Sequence, residues 1–180
     1  MDVSLKNEAS RQSVANVVGY YANEAGVSFH AKGGKSIGDS PLGIVGLAYR
    51  NNEKALAFTR GNDIFINKKG GQINSYLHDK YNIISTFEHE KEHKNAGHGF
   101  KDKGMTNRAH AGVYARQIGS KTFSKTTKDY QNFVVNSFIE ILKKAITDGA
   151  TDNVIMSLIN DANNGLNGTG IHEVGSSYFL

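Results

Sequence analysis

The feature that most constrains this chain is the run His89-Glu90-Lys91-Glu92-His93. Imidazoles at i and i+4 stand one above the other only on a helix, where both can face a single bound ion. The flanking residues agree. From Lys80 to about Asn95 the spacing predicts a helix, with Ile83, Ile84 and Phe87 sharing one face. At about 100° per residue, His89 and His93 fall roughly opposite that face, with Glu90 near its border. A chain of this make-up would show the pattern by chance only about 0.01 times, so the metal reading outweighs its bland rival. That rival is a charged, solvated helix face, since both variable positions, Lys91 and Glu92, are ionic.

The rest of the chain predicts a frame for this helix. Its 180 residues and 19.6 kDa fit one domain over 1–180, and 38% hydrophobic content is enough for a packed core. Val14, Val17, Val18 and Tyr21 recur at helical spacing and Gly26 supplies a C-cap. The glycine-rich passage holding Gly33, Gly34, Gly38, Gly43 and Gly46 predicts no definite element. Residues 55–59, a turn at Arg60-Gly61-Asn62-Asp63, and residues 64–67 predict a hairpin that ends at Lys68-Lys69-Gly70-Gly71. Thr106 caps a short helix to Gln117, stopped by Gly119, with His110, Val113, Tyr114 and Gln117 on one face. The clearest helix runs from Asp129 to Asp148, capped near Thr126 or Thr127 and ended by Gly149. Tyr130, Phe133, Val134, Phe138, Ile141, Leu142 and Ala145 form its apolar stripe. Val154, Ile155 and Leu158 suggest one more short helix, and the glycine-rich tail is ambiguous. The expected fold is α+β, with helices packed around a small antiparallel sheet. The longest apolar stretch, Leu42 to Tyr49, is far shorter than the ~20 residues a membrane-spanning helix needs. The start has no apolar core, so no signal peptide is expected.

The chain has no cysteine, which excludes disulfides, thiolate-held metals, iron–sulfur clusters and a cysteine nucleophile. A metal here must be held by histidines and carboxylates, and Zn2+ suits imidazole ligands on a helix. Glu90, beside the first histidine, is placed to act as general base on a water whose pKa the ion lowers to about 7. A catalytic zinc site needs a third protein ligand and an open fourth position. Four residues compete. His98 follows Gly97 on a glycine loop, and the extended pattern that would use a third histidine fails in register, because Ala96 and Gly99 stand at its glycine and histidine positions. Asp102 lies between lysines, and Glu140 lies beside the stripe of the long helix. His110 is favoured, since a second helix presents a ligand more rigidly than a loop does.

Charge is uneven. From Lys91 to Lys128 nine bases face two acids, although the whole chain is only +4. A rival function follows: a non-catalytic binding module whose basic 91–128 segment recognises an acidic partner. Nucleic acid is not expected as that partner, for no nucleic-acid motif is present and aromatic residues are sparse among these bases.

The HEKEH helix, preceded by a strand pair, resembles the zincin metallopeptidases. The run ALAFTRGNDIFIN at 55–67 is similar to the hairpin of minimal zincin domains in bacterial polymorphic toxins and related secreted effectors. In those domains the second helix often shows an acid, then Ala-Tyr a turn later, then Gln. The matching stretch here is His110-Ala111-Gly112-Val113-Tyr114-Ala115-Arg116-Gln117, so the resemblance implies that His110 replaces the usual glutamate as third ligand. A second departure is the ionic pair Lys91 and Glu92, where such peptidases usually carry uncharged residues. The likeness covers roughly 55–118 and leaves the first 50 residues unaccounted for. It implies zinc-dependent hydrolysis of a peptide bond, a protein or peptide substrate, and room for an immunity or inhibitor protein as partner. It also implies secretion or delivery into a target cell by a specialised system. Zincins hold an extended peptide antiparallel to an edge strand, for which Ile64-Phe65-Ile66-Asn67 is the candidate. Tyr114 is the candidate donor to the oxyanion, with Tyr130 as the alternative.

Overall fold

A computed structural model describes residues 8–27, 31–32, 35–36, 45–48, 55–60, 63–67, 72–96, 106–166, 171–174 and 177–179. His98, Asp102, the turn residues Gly61 and Asn62, and the 68–71 stretch lie outside the described residues. The chain divides into two compact units, 1–102 and 103–180. The fold class is α+β, with five helices and short strands among the described residues.

The first unit opens with α1, Glu8–Glu24. Val14, Ala15, Val18 and Ala22 are its buried face, with Val17 and Tyr21 half-buried at the border. Gly26 ends the helix at φ +71°, in the left-handed region that a side chain disfavours. There the Gly26 N–H donates to Asn23 O at 2.9 Å and the Val27 N–H to Ala22 O at 2.8 Å, the paired bonds of a Schellman cap.

Five short strands follow: β1 Ala31–Lys32, β2 Lys35–Ser36, β3 Val45–Ala48, β4 Ala57–Arg60 and β5 Asp63–Asn67. β1 and β2 pair antiparallel. β4 and β5 are the expected hairpin, with Arg60 opposite Asp63. The sheet has a third member, because β3 pairs parallel to β5 with Val45 opposite Ile64. The order is therefore β3-β5-β4, and the 64–67 strand is central. That overturns its expected role as the peptide-accepting edge, since a central strand spends its backbone hydrogen bonds on both neighbours. The sheet ends in β3 and β4 among the described residues. Ile64 and Ile66 are fully buried, and Phe58 stacks on Phe65 across the hairpin with ring centroids 5.5 Å apart. Asn67 closes it, donating from Nδ2 to Ala55 O at 2.9 Å. A 3-10 turn at Ser75–His78 then leads into α2, Lys80–Asn95.

The second unit holds α3 Asn107–Ile118, a 3-10 turn at Phe123–Lys125, α4 Lys128–Thr147 and α5 Asp152–Asn163. Thr127 is the N-cap of α4, its side chain accepting from the Tyr130 N–H. The buried face is Tyr130, Val134, Val135, Phe138, Ile139, Leu142 and Ala145. Phe133 and Ile141 are only half-buried, so the face is turned slightly from the expected stripe. Gly149, at φ +87°, ends α4 with the same pair of capping bonds seen at Gly26. Gly165 follows α5 where a side chain would collide with Ile118 O, so α3 and the end of α5 come together as backbone. The ambiguous tail forms an antiparallel pair, β6 His172–Val174 and β7 Ser177–Phe179. Asn163 ties it to α5. Its Nδ2 donates to Ile171 O at 3.1 Å, and its Oδ1 accepts from the Ile171 N–H at 2.7 Å. Among the described residues no helix is long and apolar enough to cross a membrane.

Candidate metal centre

α2 begins where Asp79 can cap it. The Asp79 carboxylate accepts from the N–H groups of Tyr81 at 2.8 Å and Asn82 at 3.1 Å. Asn82 Nδ2 donates to Tyr76 O at 2.9 Å and so fixes the 3-10 turn against the helix. With the start anchored, helical geometry brings His89 and His93 to adjacent turns. Their Nε2 atoms lie 3.0 Å apart, and the rings meet at 73° with centroids 4.7 Å apart. His89, Glu90 and His93 are only 8%, 6% and 6% exposed. The solvated-face reading of this stretch fails at those three residues.

Glu90 is engaged from the sheet. Thr59 Oγ1, on β4, donates to Glu90 Oε2 at 2.8 Å and stands 3.2 Å from Glu90 O. Lys91 has a separate task that accounts for a charge at this position. Its Nζ donates to Ala25 O at 3.3 Å, at the C-terminal end of α1, where a cation complements the helix dipole. A Cβ on Gly26 would meet that Nζ at 2.7 Å. Glu92 Oε1 accepts from Asn95 Nδ2 at 3.4 Å, one turn along the helix.

α3 starts at Thr106, whose Oγ1 accepts from the Ala109 N–H at 3.2 Å. His110 and Tyr114, one turn apart, stack with centroids 5.0 Å apart and both are half-buried. Tyr130 belongs to the core: it is 1% exposed and its hydroxyl accepts from Gln117 Nε2 at 3.1 Å. That removes it as the alternative oxyanion donor. Glu140 is exposed on α4.

His89, His93 and His110 form one group of side chains that could hold a metal ion. It is the group of three or more candidate ligands found among the described residues. Nitrogens 2.0–2.1 Å from a shared tetrahedral centre stand about 3.3 Å apart, close to the His89–His93 separation. Two neutral imidazoles with the same nitrogen directed at one another can share one proton at most, whereas a cation satisfies both lone pairs. The donor set therefore fits a metal ion. Sequence reasoning missed two residues around it. Thr59 carried a weak signal, as a hydroxyl residue that follows the apolar run 55–58, and Lys91 carried none that pointed to α1.

A scan against family models matches metallopeptidase toxin 2 over residues 1–176, and the chain belongs to that family. No curated protein and no solved structure matches it.

Proposed function

We propose that the chain is a zinc-dependent peptidase acting as a toxin, and that residues 1–180 work as one functional domain. The carrying observation is the grouping of His89, His93 and His110 beside a buried Glu90 in a member of a metallopeptidase toxin family. The three imidazoles would hold the ion as neutral ligands. The bound zinc supplies Lewis acidity and lowers the pKa of a water to about 7. Glu90 accepts a proton from the attacking water and passes it to the leaving amine, so one carboxylate serves as base and then acid. Tyr114, beside His110, donates a hydrogen bond from its hydroxyl to the oxyanion that develops on the scissile carbonyl. The substrate is a protein or peptide in a target cell, reached by delivery from the producing cell. An immunity protein that covers the site is the expected partner.

The test is Glu90→Gln. An amide keeps the shape of the side chain but cannot take the proton. Hydrolysis should fall at least ~10²-fold while metal content and thermal midpoint stay unchanged. Turnover near wild type would remove Glu90 from the chemistry.

A further inference from the structure

The base of a hydrolase must be aimed as well as basic, and the residue that aims it here lies on the sheet. We propose that Thr59 is the positioning residue of Glu90, its hydroxyl holding the carboxylate in the rotamer from which it acts. The inference rests on the reading of Glu90 as base. Thr59 Oγ1 reaches both ends of one residue, at 2.8 Å from Glu90 Oε2 and 3.2 Å from Glu90 O. A single hydroxyl within reach of both the carbonyl and the carboxylate restricts the side-chain torsions that separate them. Its one proton goes to one oxygen at a time, and the shorter contact to a charged acceptor is the stronger.

The hydroxyl is itself well placed to give a direction. Thr59 is β-branched, so its χ1 is stiff on a strand. β4 is held along four residue pairs with β5, including Thr59 opposite Ile64, and its neighbour Phe58 is locked by stacking on Phe65. Ile64 is fully buried, so the register cannot slip without exposing it. The bond joins a strand to a helix 31 residues away in sequence, and both of its ends are fixed by packing rather than by each other. Glu90 is 6% exposed, so water cannot readily replace a lost donor.

The experiment compares zinc-loaded Thr59→Val, which removes the hydroxyl at constant shape, with Thr59→Ser, which restores it. Turnover of fluorescein-labelled casein and the Glu90 side-chain position in crystal structures are read together. Thr59→Val should lower kcat about 10-fold to 100-fold with KM and zinc content unchanged, and Glu90 should leave its wild-type rotamer. Thr59→Ser should return kcat to within a few-fold. Adding Thr59→Val to Glu90→Gln should cost nothing further, because the aimed group is already gone. A Thr59→Val protein with wild-type kcat and an unmoved Glu90 overturns the proposal while a dead Glu90→Gln keeps the base assignment. An active Glu90→Gln sinks the base assignment itself. Should Thr59→Val not fold, Thr59→Ala is read in its place, and equal losses in Thr59→Ala and Thr59→Ser would overturn the role of the hydroxyl.

Discussion

α2 and α4 bury their faces for opposite reasons. The buried residues of α4 are Tyr130, Val134, Val135, Phe138, Ile139, Leu142 and Ala145, and they hold the helix by removing apolar surface from water. α2 buries eight residues, of which only Ile83 and Phe87 are apolar. The others are Asn82, Ser85, Thr86, His89, Glu90 and His93. Burying polar groups costs free energy unless each is bonded, so a helix with this face is stabilised less by burial than α4 is. Part of the polarity is structural: Asn82 bonds Tyr76 O, and Thr86 Oγ1 donates to Asn82 O at 2.8 Å. The remainder is His89, Glu90 and His93, of which Glu90 is bonded from β4 by Thr59 and the two histidines are candidate metal ligands. Apolar packing accounts for the buried residues of α4, whereas the proposed chemistry would account for the buried histidines of α2.

Two substitutions sharpen the contrast. Phe138→Ala should have the largest effect, since Phe138 is fully buried and its loss leaves a cavity. Unfolding in urea should show a loss of about 3–5 kcal/mol, and a loss under about 1 kcal/mol would mean that apolar burial does not hold α4. Asp79→Ala removes the two capping bonds of α2 and should cost about 1 kcal/mol in the same titration. No change there would show that the polar helix is held by something other than its cap.

The same contrast governs what the sequence discloses. Helices with local signals were legible: Thr106 beside Asn107, and Gly149 beyond the last turn of α4, mark ends that capping chemistry dictates. The β4–β5 hairpin was legible because its partners are adjacent in the chain. β3 was not, since Val45–Ala48 lies in an apolar run that does not indicate its partner, and parallel pairing with β5 is a long-range event. The central place of β5 therefore stayed hidden, and with it the mistaken assignment of Ile64–Asn67 as an edge. On α4, periodicity located the stripe but not its exact angle, because Val135 and Ile139 can replace Phe133 and Ile141 only through what packs against them. The histidine pair was visible because both residues share one helix. Thr59 and Lys91 were not, because each acts on an element far away in sequence.

A metal held by the polar face of α2 and completed by His110 should be measurable in the purified chain. The direct measurement is metal content by mass spectrometry after dialysis, for the wild-type chain and for His89→Ala, His93→Ala and His110→Ala. About one zinc per wild-type chain is expected, with a loss of stoichiometric zinc in each of the three variants and helical circular dichroism retained. Equal zinc in wild type and in His89→Ala and His93→Ala would contradict that expectation.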